Sequence, residues 1–121
     1  MTFDMKLFRR ISVRRSDKWL NVAEFGRPPL MYWSNALAGE TGEVCNAVKK
    51  YERVVRKMRQ NKGPQSLDEA KTAIAKEIAD VYTYLDLLAA ELDIDIGEVT
   101  AAKFNEISIR EGFTDRYPEQ V

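Results

Sequence analysis

Residues 67–92 are too apolar for a helix that shows one broad face to water. Ile74, Ile78, Val81, Leu85 and Leu88 form a helical stripe, and Ala75, Ala79, Tyr82, Leu87 and Ala89 widen it well beyond a single face. Such breadth marks a helix buried on several sides. In a chain of 121 residues it implies packing against another subunit as well as an internal core. Yet the same run carries Glu77 and Asp80, three residues apart and so one turn apart on one face. An equivalent pair, Glu40 and Glu43, stands in Ala38-Gly39-Glu40-Thr41-Gly42-Glu43, between Leu37 and Val44.

Surface acids on helices usually have a cation three or four residues away, as Glu52 has Arg56 and Glu106 has Arg110. Glu40, Glu43 and Glu77 have none, and Asp80 has only Lys76. Gly39 and Gly42 lie inside the same helical pattern, each at a cost of roughly 1 kcal/mol against Ala, which suggests a close approach to the backbone. If the two helices pack antiparallel, the four acids face one spot. Uncompensated buried charge costs several kcal/mol, and a hard divalent cation removes that penalty. Mg²⁺ takes oxygen ligands and shares its shell with water and substrate phosphates; Mn²⁺ suits the same donors.

Composition prunes the alternatives. The chain has no histidine, which excludes Ser-His and Cys-His nucleophiles and His-bearing zinc or di-iron sites. Its single cysteine, Cys45, rules out an internal disulfide framework and fits a reducing compartment. Lys plus Arg and Asp plus Glu both total 19, which argues against bulk nucleic-acid binding as the main task. No apolar run approaches the roughly 20 residues of a membrane span, and no apolar stretch follows the basic N-terminus as in a signal peptide. These readings place the chain in the cytoplasm, away from membranes.

The chain divides at Gly26-Arg27-Pro28-Pro29. Residues 1–29 form an arm mixing apolar and basic residues, with a short helix over 3–12 and a further turn capped by Ser16. Residues 30–113 form the helical domain. Its first helix spans about 30–59, apolar then basic, with Asn46 and Lys50 on the Glu43 side. A loop over 61–65 leads to Ser66 and Glu69, a capping box for a helix over 67–92. Asp95 caps a last helix over 96–111, which turns Val99, Phe104 and Ile107 to the core and ends at Gly112. Residues 114–121 are an irregular tail.

Taken together, Leu37-Ala38-Gly39-Glu40-Thr41-Gly42-Glu43-Val44-Cys45-Asn46-Ala47-Val48-Lys49-Lys50, the E-x-x-D run Glu77-Ile78-Ala79-Asp80-Val81 and the segment from Lys103 to Phe113 resemble the MazG-like nucleoside triphosphate pyrophosphohydrolases. The resemblance implies an all-α fold, a helical bundle completed by oligomerisation as a homodimer or homotetramer. It implies Mg²⁺-dependent hydrolysis of a nucleoside triphosphate to monophosphate and pyrophosphate by a metal-activated water. Glu40, Glu43, Glu77 and Asp80 would be metal ligands, with Glu43 or Glu40 orienting the water. Lys50, Lys103 and Arg110 would meet phosphates, and Asn46 and Asn105 polar groups of the substrate. Trp33 either stacks on the base or belongs to the core. The rival reading is a non-catalytic helical interaction module that contacts nucleic acid through the basic arm.

Overall fold

The computed structural model describes residues 1–60 and 62–119. Asn61 of the expected loop, and Gln120 and Val121 of the tail, lie outside the described residues. Five α-helices and no strand occur among those described: α1 Met5–Trp19, α2 Val22–Phe25, α3 Leu30–Val55, α4 Leu67–Glu91 and α5 Ile96–Glu111. The all-α expectation holds. Residues 1–88 form one compact unit and residues 89–121 a second.

In the first unit α1 is longer than expected. Asp4 caps it, its Oδ1 accepting from the Leu7 N–H at 3.0 Å. Ser16 lies inside the helix and caps nothing. The helix runs on to Trp19, and Asn21 just beyond it takes a left-handed backbone (φ 51°) that an Asn tolerates better than most residues. Helix α1 packs on α4. Arg9 donates to Asp86 Oδ1 of α4 through Nη2 at 2.7 Å and Nε at 3.0 Å. Phe3, Phe8 and Tyr82 gather their rings at centroid distances of 5.1–5.8 Å.

Helix α3 stops four residues short of the expected end. Lys57 takes a left-handed conformation (φ 55°). The Met58 N–H reaches Arg53 O at 2.9 Å and the Lys57 N–H reaches Val54 O at 3.1 Å, a Schellman closure built without glycine. The capping of α4 follows the sequence with one shift. Ser66 Oγ accepts from the Glu69 N–H at 3.1 Å, while Glu69 Oε2 reaches past Ser66 to the Gln65 N–H at 2.9 Å. Glu40 and Trp33 neighbour Asp80, Tyr84 and Leu87, whereas Lys50 neighbours Ala73. Residue numbers rise along α3 as they fall along α4, so the two helices run antiparallel.

Gly39 and Gly42 have open space where a side chain would project. None of the described residues approaches them closely, contrary to the expectation from their helical cost. Gly39→Ala or Gly42→Ala should therefore raise the unfolding free energy by roughly 1 kcal/mol. A fall in thermal midpoint instead would locate a second molecule against this face.

In the second unit Asp95 caps α5 through the Glu98 N–H at 3.0 Å. Gly112, at φ 79°, closes it, with the Phe113 N–H on Ser108 O at 2.8 Å. Val99, Phe104 and Ile107, expected in the core, are exposed in the single chain; Ser108 is buried. The stripe on α4 is also uncovered in places, Ile78 being 55 % exposed.

Candidate active site

The antiparallel pairing of α3 and α4 brings Glu40, Glu77 and Asp80 together, with one carboxylate oxygen from each within 4.8 Å of the others. Glu77 and Asp80 supply adjacent turns of α4, and Glu40 faces them from α3. Burial raises the Glu40 pKa, and the charges of Asp80, Glu77 and Glu43 raise it further. A carboxyl with a raised folded-state pKa loses stability as pH climbs from its unfolded value through its folded one. The charged form of Glu40 is thus disfavoured by its neighbours, and positive charge at the cluster relieves it. Three convergent carboxylates fit a hard divalent cation, which takes oxygen donors and keeps waters.

Glu43 stands outside this tight group. It is exposed and borders a neighbouring hollow of about 90 Å³ with Asn46, Ala47, Lys50, Pro64, Ala73 and Glu77. One helical turn beyond Glu40, it meets the next turn of α4, where Glu77 is shared between cluster and hollow. The stem of Lys50 lies along the loop, since a side chain at Gly63 would stand 3.6 Å from Lys50 Cδ.

On its other side the cluster opens into a cleft of about 300 Å³. Glu40 and Asp80 border it on α3 and α4, as do Tyr32, Trp33, Thr83, Tyr84 and Leu87; α1 adds Ser12, Arg15, Ser16 and Trp19. Trp33 is 2 % exposed and meets Tyr32 edge-on at 5.2 Å. It is core, and forms wall rather than an open stacking platform. Trp19 is exposed and offers such a surface. Burial raises the Tyr84 pKa, Tyr32, Glu40 and Asp80 raise it further, and Arg15 opposes them. Tyr84 therefore keeps its proton at neutral pH, and its hydroxyl is able to donate in the cleft.

The α1 residues of this cleft escape a reading that ends the first helix at residue 12. Once Asp4 is taken as the cap, Ser12, Arg15, Ser16 and Trp19 recur at helical spacing on one face.

Lys103, Asn105 and Arg110 belong to the second unit. Lys103 Nζ lies 3.2 Å from Glu106. Arg110 pairs with Glu111 at 3.1 Å, not with Glu106 as its spacing suggested. Asn105 donates from Nδ2 to Tyr117 O and accepts at Oδ1 from the Tyr117 N–H, both at 2.8 Å. Its amide is engaged at both ends in fixing the tail.

An all-helical chain with a carboxylate triad at the mouth of a cleft is suited to metal-assisted phosphate chemistry. A family model for the MazG nucleotide pyrophosphohydrolase domain matches residues 32–111. The chain belongs to this family, whose activity is nucleotide pyrophosphohydrolysis and whose members are typically metal-dependent. Neither a curated protein nor a solved structure gives a match. Helix α1 lies outside the matched residues. No helix among the described residues is long and apolar enough to cross a membrane.

Proposed function

We propose that the protein hydrolyses a nucleoside triphosphate, ribo or deoxy, between its α and β phosphates with Mg²⁺, releasing a nucleoside monophosphate and pyrophosphate. The observation that carries this reading is the triad of Glu40, Glu77 and Asp80 within 4.8 Å, set at one end of the cleft between α1, α3 and α4. Mg²⁺, or Mn²⁺ in its place, held by these residues would offset the triphosphate charge and acidify water.

The side chains divide the remaining work. The cleft receives the nucleoside, with Trp19 and Tyr32 as its aromatic surfaces and Tyr84 as a donor. Lys50, beside Glu77, contacts the phosphate chain as a point charge, and Asn46 donates next to it. Glu43 is outside the triad and exposed, so it is free to take the proton of the attacking water. The water oxygen bonds to the α phosphorus, the bond from that phosphorus to the bridging oxygen breaks, and pyrophosphate carries off the electron pair. Glu43→Gln should then lower kcat by about 10²- to 10⁴-fold while Mg²⁺ still raises the thermal midpoint. Loss of the Mg²⁺ response in this variant would move Glu43 into the metal set.

A homodimer or homotetramer completes the fold in this reading. Its support is the apolar surface left uncovered on α4 and α5, at Ile78, Leu85, Phe104 and Ile107. Sedimentation equilibrium should give a multiple of the 13.9 kDa chain; a monomer at assay concentration would refute it.

A panel of ribo- and deoxynucleoside triphosphates with Mg²⁺ tests the reaction. Pyrophosphate release is expected. Orthophosphate release, or no turnover with any member, would overturn the reading.

A further inference from the structure

We propose that the outer face of α1 docks the phosphodiester backbone of a nucleic acid. This surface is separate from the acid cleft. Lys6, Arg10, Arg14 and Lys18 recur every four residues along α1 and are all exposed. At 1.5 Å per residue they form a ridge of cations about 6 Å apart and about 18 Å long. Their side chains have no ion pair or hydrogen bond among the described residues. Arg10, Arg14 and Lys18 also share one wall of an open groove of about 690 Å³, where α2 contributes Val22 and Ala23. The one acid in that groove, Asp17, is met by Arg27 at 3.0 Å. The groove is therefore cationic along its length.

Spacing selects the partner. A triphosphate is compact and cannot meet four cations spread along such a line. One strand of duplex carries a phosphate every 3.4 Å of axis, so alternate phosphates fall about 6.8 Å apart, close to the pitch of the ridge. A bilayer would require an apolar face beneath the charges. In α1 the face towards α4 is committed through Phe8 and Arg9, and Leu7 and Ile11 stand exposed beside the ridge, a narrow apolar strip whose pull on a bilayer the vesicle arm of the test below reads. The chain's zero net charge does not oppose this, because the field near the ridge is set by α1, where Asp17 is the sole acid.

Fluorescence anisotropy of a labelled duplex oligonucleotide titrated with the full chain reads this directly. With four phosphates neutralised along one strand of the duplex, log K should fall against log salt with a slope of about −3.6, a loss of about 150-fold over a fourfold rise in salt. Arg10→Gln combined with Arg14→Gln should bring the slope to about −1.8 and leave nucleotide hydrolysis unchanged. Lys6→Gln combined with Lys18→Gln should give the same slope through different residues. Absence of binding at low salt, or a slope that neither double variant alters, overturns the proposal. So does a result in which the variants lose binding to anionic vesicles, or lose self-association, while keeping oligonucleotide affinity.

Discussion

Glu77→Gln is expected to abolish Mg²⁺-dependent pyrophosphate release while the helical content stays intact. Glu77 is the one acid that borders both the triad and the hollow beside Glu43 and Lys50. Replacing its carboxylate by an amide keeps the shape and removes the charge. The cation contributes several kcal/mol of transition-state charge stabilisation, so its loss should lower kcat/KM by at least about 10³-fold. A second readout does not depend on turnover. In the native protein, Mg²⁺ at a hundred times its Kd should stabilise the fold by about 2.7 kcal/mol, or roughly 10 °C in Tm for a chain of this size. That rise should vanish in Glu77→Gln. In the native protein it should be larger at neutral pH than at pH 5, because Glu40, whose pKa is raised, then carries the charge that the ion relieves. Unchanged turnover, or an unchanged Mg²⁺ response, would remove the triad from the reaction.

How much of this could be read from the chain follows from where local rules suffice. Helices α4 and α5 were legible because polar caps announce them, at Ser66 and Asp95, and because Gly112 ends the second. The end of α3 was not, since Lys57 adopts the left-handed turn that composition would assign to glycine. The acids were legible as pairs, since a three-residue spacing fixes one face. Which of the four converge depends on the stagger of α3 against α4, and the stagger leaves Glu43 beside the triad rather than in it. The cleft wall was the largest omission. It depends on α1 crossing to α4 through Arg9 and Asp86, seventy-seven positions apart, and a buried ion pair resembles ordinary surface charge in a sequence. Ser12 and Ser16 added to the disguise: polar residues on the inner side of α1 broke the apolar pattern that would have extended the helix.

That same ion pair gives the largest expected loss of stability. The Asp86 side chain is 2 % exposed and that of Arg9 24 %, so Arg9→Ala strands a buried carboxylate. Removing one partner of such a pair costs about 3–5 kcal/mol, and the partial exposure of Arg9 places the expectation near about 3 kcal/mol, roughly 12 °C in Tm. Burial of the charge, rather than attraction within the pair, sets this cost. Arg9→Met combined with Asp86→Leu should therefore recover most of it, as apolar replacements of buried pairs often do. An additive double variant would show that Asp86 is held by other partners. The pair also ties stability to function, because α1 carries Ser12, Arg15, Ser16 and Trp19 into the cleft. Arg9→Ala at a temperature where it remains folded should raise KM for the triphosphate more than it lowers kcat, since the triad on α3 and α4 is untouched. The double variant should restore KM together with Tm. A kcat that fell while KM held would mean that α1 acts on the acids themselves, not on the nucleoside they receive.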